Sequence, residues 1–334
     1  MLSFTPSPER FVVEELPAYP PSGAGTHTFL FLEKRGLTTF DAIARVAAAF
    51  GVAARDVGYA GLKDKQATTR QWLSVPDLDP ERAITLSGDD LRVLSAARHP
   101  HKLRLGHLRG NRFEVVLTGA ATDAEIAELR ARFDELAARG VPNLYGGQRF
   151  GADAANAARG LELLRGTRRE RDKRKRRLML SALQSAVFNR ALELRATRGA
   201  LTDVLAGDVL KKTDTGGLFV STEPAVDQRR VDAGELIPTG PLPGGRETEP
   251  PPGTPARALE DEAIAAVGAT REEFANAGRE LPGARRPVLL RLADTAFCEE
   301  ARGDLDDRAV RLRFTLPAGG YATVVVTSVT SGAA

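Results

Sequence analysis

The chain has one cysteine, Cys298, in 334 residues. That excludes an internal disulfide framework and any multi-cysteine zinc site. No run approaches the ~20 apolar residues that a membrane span requires. The opening Ser, Thr and Pro residues lack the charged-then-apolar pattern of a secretory signal, so a cytoplasmic location is expected. Histidine is scarce, four in all. His99, His101 and His107 lie close in sequence, but with no acid or cysteine beside them no metal site is expected. No Gly-x-x-x-x-Gly-Lys-Ser/Thr loop occurs, which argues against a P-loop nucleotidase. Gly23-Ala24-Gly25 lacks the third glycine and the strand–helix setting of a dinucleotide fingerprint. There is no His-Glu-x-x-His, and Ser181 and Ser185 have no evident His and Asp partners for serine hydrolysis.

What is present is a globular composition, 42% hydrophobic, with a net charge of only +3. The charge is unevenly spread. From Arg98 to Arg112 there are five Lys or Arg residues and three His without an acid, and from Arg165 to Arg177 nine basic residues against Glu170 and Asp172. Such clusters suit neutralisation of a phosphate backbone; the plainer alternative is a solvated helix face.

Gly61-Leu62-Lys63-Asp64-Lys65-Gln66-Ala67-Thr68-Thr69-Arg70-Gln71 is the most informative stretch. It sets one carboxylate between two lysines after a short apolar run, and opposite charge on both sides favours the ionised form. An ionised, well-held aspartate serves as nucleophile or general base without metal. Gly61 allows close approach of backbone or ligand, and Thr68, Thr69 and Gln71 offer hydrogen bonds. Taken alone, the same residues also read as a charged turn in solvent.

Along the chain, strands are expected at Phe11–Glu15, His27–Leu32, Gln71–Val75 and Arg112–Leu117. Ala42, Ile43, Val46, Ala47 and Phe50 recur at helical spacing. Thr122 and Glu125 form a capping box before a helix that Gly140 ends. A Gly-rich aromatic loop runs from Val141 to Gly151, and Ser181–Asn189 heads a long helix. Pro238 to Pro255, with seven prolines and four glycines, reads as an irregular loop. Two short helices follow, around Leu259–Val267 and Arg271–Gly278. Strand signals return at Val288–Leu290, Val310–Leu316 and Tyr321–Val326. Strands, then helices, then strands suggest an α+β domain interrupted by a helical insertion.

Several of these segments together resemble the TruD family of tRNA pseudouridine synthases. The Asp64 segment is similar to that family's catalytic motif, and Gly110-Asn111-Arg112-Phe113 to its Gly-Asn-x-Phe element. Val141-Pro142-Asn143-Leu144-Tyr145-Gly146-Gly147-Gln148-Arg149-Phe150-Gly151 is similar to its Pro-Asn-aromatic-Gly-Gln-Arg-Phe-Gly signature. Pro8–Glu14, Leu180–Asn189 and Leu316–Thr323 fit as well, in order over nearly the whole chain.

The resemblance implies a V-shaped molecule. A discontinuous pseudouridine synthase catalytic domain, 1–140 and 291–334, would carry an inserted TRUD domain, 141–290, with a tRNA-binding cleft between them. It implies isomerisation of uridine to pseudouridine at position 13 in the D arm of tRNA, without cofactor or metal, by a monomer. Asp64 would be the catalytic aspartate; whether it attacks base or sugar, or removes the 2′ proton, stays open. Phe113 would stack on the extruded uracil, and Asn111, Lys63, Lys65 and Gln71 would help bind it. Lys102, Arg104, Arg149, Arg174 and Lys175 would contact RNA, while Gln148, Arg149 and Phe150 shape the hinge. Where the family has Arg-Glu on its last strand this chain has Thr327-Ser328; a common lysine is Thr5, and a usual aspartate is Arg10. A non-catalytic tRNA-binding or folding protein on the same fold is the alternative that Thr327 and Ser328 support.

Overall fold

The structure is a computed structural model describing residues 2–300 and 308–330. Two compact units divide the chain, 1–138 with 291–334, and 139–290. Among the described residues no helix is long and apolar enough to cross a membrane.

The first unit opens with β1 (Phe11–Pro17) and β2 (His27–Arg35), then α1 (Thr39–Phe50), β3 (Gly58–Tyr59), β4 (Thr68–Pro76), α2 (Pro80–Ile84), β5 (Leu91–His99), β6 (Leu108–Gly119) and α3 (Asp123–Arg139). Helix α1 starts where Thr38 and Asp41 cap each other, and ends at Gly51 in the left-handed conformation, a pairing that satisfies both helix ends. The Thr122–Glu125 capping box forms ahead of α3.

The second unit holds β7 (Val141–Pro142), α4 (Asn156–Leu164), α5 (Lys173–Thr197), β8 (Val209–Lys212), β9 (Leu218–Val220), α6 (Pro224–Asp232), β10 (Leu236–Leu242), α7 (Pro255–Ala266), α8 (Arg271–Asn276), β11 (Ala284–Pro287) and β12 (Leu289–Leu290). Its axis is α5. Leu183, Val187, Ala191 and Leu194 pack against Leu259, Ala263 and Ile264 of α7. The long helix starts eight residues before Ser181, so Lys173 to Arg177 form its first turns. The proline-rich stretch is also more regular than expected. Its first five residues belong to β10, where Pro238 pairs with Leu210 and Pro241 with Arg285; neither proline has an N–H to donate, and the Pro238 carbonyl still accepts the Val288 N–H at 3.0 Å.

The chain returns to the first unit with β13 (Ala293–Glu300), β14 (Arg308–Pro317) and α9 (Ala322–Thr330). The strand expected at Tyr321–Val326 is therefore a helix, and Thr327 and Ser328 lie on it. Val and Thr dominate this segment and favour strand, but Ala322, Val325, Val326 and Val329 are buried at helical spacing, so tertiary burial outweighs local preference. The strands join in the order β13-β14-β6-β1-β4-β2-β5, with β3 beside β4. All these pairs are antiparallel except β1 with β4.

Register assigns each residue to a face. On one face α1 covers the β2–β4 end through Ile43 and Val46 against Leu32 and Leu73. At the other end Phe133 of α3 meets Phe297 and Phe314. The opposite face carries alternating charge: Arg92 to Glu33 at 2.7 Å, Glu33 to Arg70 at 2.9 Å, Arg70 to Glu14 at 3.4 Å and Glu14 to Arg112 at 3.0 Å. Cross-strand pairs of opposite charge suit a sheet face that is only partly covered: Glu33 is buried while its arginine partners reach solvent.

Gly110 fixes how closely β6 and β14 approach. A Cβ there would stand 2.3 Å from the Leu316 carbonyl oxygen. Gly110→Ala is expected to cost about 1–3 kcal/mol, as overpacking does, seen as a lower midpoint in urea unfolding. An unchanged midpoint would contradict this packing.

Candidate active site and nucleic-acid interface

Between α1 and α3 the covered face of the sheet carries a strip of polar residues where a core would be apolar. Register aligns them: Glu15 faces Asn111 across β1–β6, Gln71 faces Leu32 and Lys34 faces Thr69 across β2–β4. Glu15, Lys34, Thr69 and Gln71 are all buried. Asp64 lies in the loop 60–67 leading into β4, and its side chain is exposed.

The strip holds the Asp64 loop by its backbone. The Lys63 N–H donates to Thr39 Oγ1 at 2.9 Å, and the Thr39 hydroxyl donates to Gln71 Oε1 at 3.1 Å. Lys34 Nζ donates to the carbonyl oxygens of Leu37 at 2.6 Å and Asp64 at 3.0 Å. Asp64 Oδ1 accepts the Gln66 N–H at 2.9 Å, a local turn that orients the carboxylate. At the far side of the loop Thr68 Oγ1 donates to the Pro8 carbonyl at 2.7 Å, tying in the opening segment. Among the described residues Asp64 makes no ion pair.

Two expectations change. Lys63 does not stand beside the Asp64 carboxylate: its side chain is 4% exposed and its ammonium is paired with Glu15. The second Glu15 oxygen accepts the Trp72 N–H at 3.2 Å. Burial pushes the Glu15 carboxyl upward, and the Lys63 charge opposes it. Phe113 does not present an open ring. It is 6% exposed, stacked on Phe11 with centroids 6.3 Å apart and tilted against Phe314 at 5.5 Å; a side chain alternating with Asn111 and Val115 on a covered face lands in the core. Asn111 and Gln71 do lie on the strip. Asn111 Oδ1 and Gln71 Nε2 are buried without a hydrogen-bond partner among the described residues, a costly state that marks a site rather than a finished core. Lys65 is exposed.

Lys34, Glu15 and Thr39 were missed by sequence reading. A signal existed for two of them. Glu15 follows Phe11 and Val13 on the inward parity of β1, and Lys34 follows Leu30 and Leu32 on that of β2. A charge at a core-facing position is the informative exception. Burial pulls the Lys34 amine down to about 8, with Asp64 pulling the other way.

The basic segment near residues 98–112 adjoins this loop, since the Gly106 N–H donates to the Ala60 carbonyl at 2.9 Å. Arg104 is exposed, whereas Lys102 Nζ is committed to the Arg55 carbonyl at 2.7 Å. His99 and His107 pack on Tyr19, whose hydroxyl meets His107 Nδ1 at 2.7 Å.

In the second unit a groove of about 950 Å³ opens beside the start of α5, lined by Arg149, Lys173, Arg174, Arg176, Arg177 and Arg279 among others. Arg176 is tied to Glu280 at 2.6 Å; Lys173, Arg174, Arg177 and Arg279 form no ion pair among the described residues. Arg174 and Lys175 are exposed, and their N–H groups are capped by Asp172. Arg149 donates to Ser185 Oγ at 3.2 Å and lies over the Tyr145 ring. Cations at a helix N-terminus oppose its dipole, so this placement adds no stability and concentrates positive potential where an anion would lie.

Comparison with known proteins identifies the relatives. The family model for tRNA pseudouridine synthase D (TruD) matches residues 3–171 and 169–329. A tRNA pseudouridine synthase D of Anaeromyxobacter sp. (strain Fw109-5) is 46% identical over 96% of this chain and 90% of its own length. A Thermus thermophilus protein of that name is 40% identical over 96% and 86%. A TruD crystal structure from Methanosarcina mazei superposes with a TM-score of 0.78 at 22% identity, over 99% of this chain and 94% of that one, a likeness of fold.

The Glu15–Lys63 pair yields a stability test. Glu15→Gln would leave the Lys63 ammonium buried without its counter-charge and is expected to cost about 3–5 kcal/mol. Adding Lys63→Met should restore most of that loss. A single-variant loss below about 1 kcal/mol in urea unfolding would contradict the pairing.

Proposed function

Because the chain belongs to the tRNA pseudouridine synthase D (TruD) family, we propose that it isomerises uridine to pseudouridine in tRNA, at position 13 of the D arm, with Asp64 as the catalytic residue. The observation that carries the Asp64 assignment is an exposed carboxylate, free of ion pairs among the described residues, on a loop whose backbone is held from below at residues 63 and 64. In a protein whose carboxylates are so often paired with arginine, a carboxylate left unpaired and oriented is available for chemistry.

The reaction breaks the bond from ribose C1′ to uracil N1, turns the base and joins C1′ to C5. The C5 proton departs and N1 gains one, so atoms balance without oxidant, reductant or cofactor. One positioned carboxylate suffices as nucleophile or base. Asn111 Oδ1, an acceptor, and Gln71 Nε2, a donor, match the N3–H and carbonyl oxygens of uracil in type, and would meet the base if the strip opens to it. Phe113 supports that strip from the core. Extruding the uridine costs a few kcal/mol, which contacts to the tRNA backbone offset. We assign those contacts to Arg104 beside the Asp64 loop and to the cationic groove of the second unit, with Arg149 and Arg174 on its wall and Lys175 next to it.

Two outcomes test this reading. Unmodified tRNA tritiated at uracil C5 should release tritium with the wild type, while Asp64→Asn should release none and still bind tRNA. Full turnover by Asp64→Asn would refute the assignment; binding without release by the wild type would favour a non-catalytic tRNA-binding protein. For the groove, Lys173→Gln, Arg174→Gln and Arg177→Gln together should reduce the slope of log affinity against log salt by about two to three. An unaltered slope would make those side chains a solvated face.

A further inference from the structure

Lys34 takes no part in that chemistry, and its surroundings call for a role. Its side chain is fully buried, among the largest such in the protein. Its ammonium meets two neutral carbonyls, those of Leu37 and Asp64, at 2.6 and 3.0 Å. Burying a charge on neutral acceptors is unfavourable compared with an apolar side chain of the same length, so stability does not explain a lysine at this position. The charges that act on it are Asp64 and Asp41, which favour the ammonium, and Lys63, which opposes it; Lys63 is itself neutralised by Glu15.

We propose that Lys34 is a positioning residue for Asp64: its ammonium grips the Asp64 carbonyl, fixes the loop that presents the carboxylate and supplies the positive charge that sequence alone assigned to Lys63. The inference rests on the Asp64 reading. The grip is electrostatic, so it weakens as the amine loses its proton. Burial brings that loss down to about pH 8, within the range where the enzyme can be assayed. The charge is present below pH 8 and lost as pH rises through it.

The test measures single-turnover rate and tRNA affinity between pH 6.5 and 9.5 for wild type, Lys34→Gln, Lys34→Arg and Asp64→Asn. The wild-type rate should fall above about pH 8 while affinity stays level. Lys34→Gln should be slower by about 10- to 100-fold at neutral pH, as a misplaced catalytic group is, with affinity within about twofold and no alkaline limb. Lys34→Arg keeps its charge at all these pH values and should move the limb out of range. A rate in Lys34→Gln within about twofold of wild type, a limb unmoved in Lys34→Arg, or a level wild-type profile would each overturn the proposal. If neither lysine variant folds, the wild-type profile decides. The Asp64→Asn arm separates the two claims: if it turns over, the Asp64 reading fails; if it is inactive while Lys34→Gln is normal, only the role of Lys34 fails.

Discussion

The site depends on a layer of buried polar contacts beneath one exposed loop. Glu15 and Lys63 neutralise each other, Thr39 links Gln71 to the loop backbone, and Lys34 holds the carbonyl of Asp64. Such a layer is a poor source of stability, because desolvating charges offsets most of what their attraction returns. Its benefit is geometric. The hydrogen bonds and the ion pair that join these groups leave few alternative arrangements, so the loop above them is held in one place. The sheet makes the layer possible. Strands β2, β4, β1 and β6 supply Lys34, Gln71, Glu15 and Asn111, α1 supplies Thr39 and the loop supplies Lys63, and the parallel pairing of β1 with β4 brings Glu15 and Gln71 together.

Charge is sorted by position. On the other, partly covered face of the sheet, arginines and glutamates alternate across neighbouring strands and neutralise one another. At the start of α5 several cations have no such partner among the described residues, stand against the helix dipole and line a groove. A near-neutral total conceals this contrast. It also explains why net charge said little about a polyanionic partner, while the local distribution said more.

Much of this was legible in the sequence. The Asp64 segment stood out because Lys-Asp-Lys beside Gly61 and two threonines is a local pattern, and the core strands alternate as half-covered strands do. Long-range pairing was not legible. Nothing local says that Lys63 turns inward to Glu15, 48 residues earlier, so it read as a neighbour of the carboxylate. Phe113 read as a stacking platform, whereas register puts it between Phe11 and Phe314. The β-branched run of α9 and the prolines of β10 were misread for a shared reason. Local preference was strong and wrong, and tertiary packing decided. The α5 boundary was missed because charged residues mask the first turns of a helix whose apolar stripe begins later.

The most direct measurement is a site-resolved map of the product. Unmodified tRNA with uridine at position 13 would be incubated with wild type or Asp64→Asn, treated with carbodiimide and read by primer extension. The account predicts one stop, at position 13, with the wild type and none with Asp64→Asn. A stop that persists in Asp64→Asn, or no stop with a wild type that binds the tRNA, would contradict it.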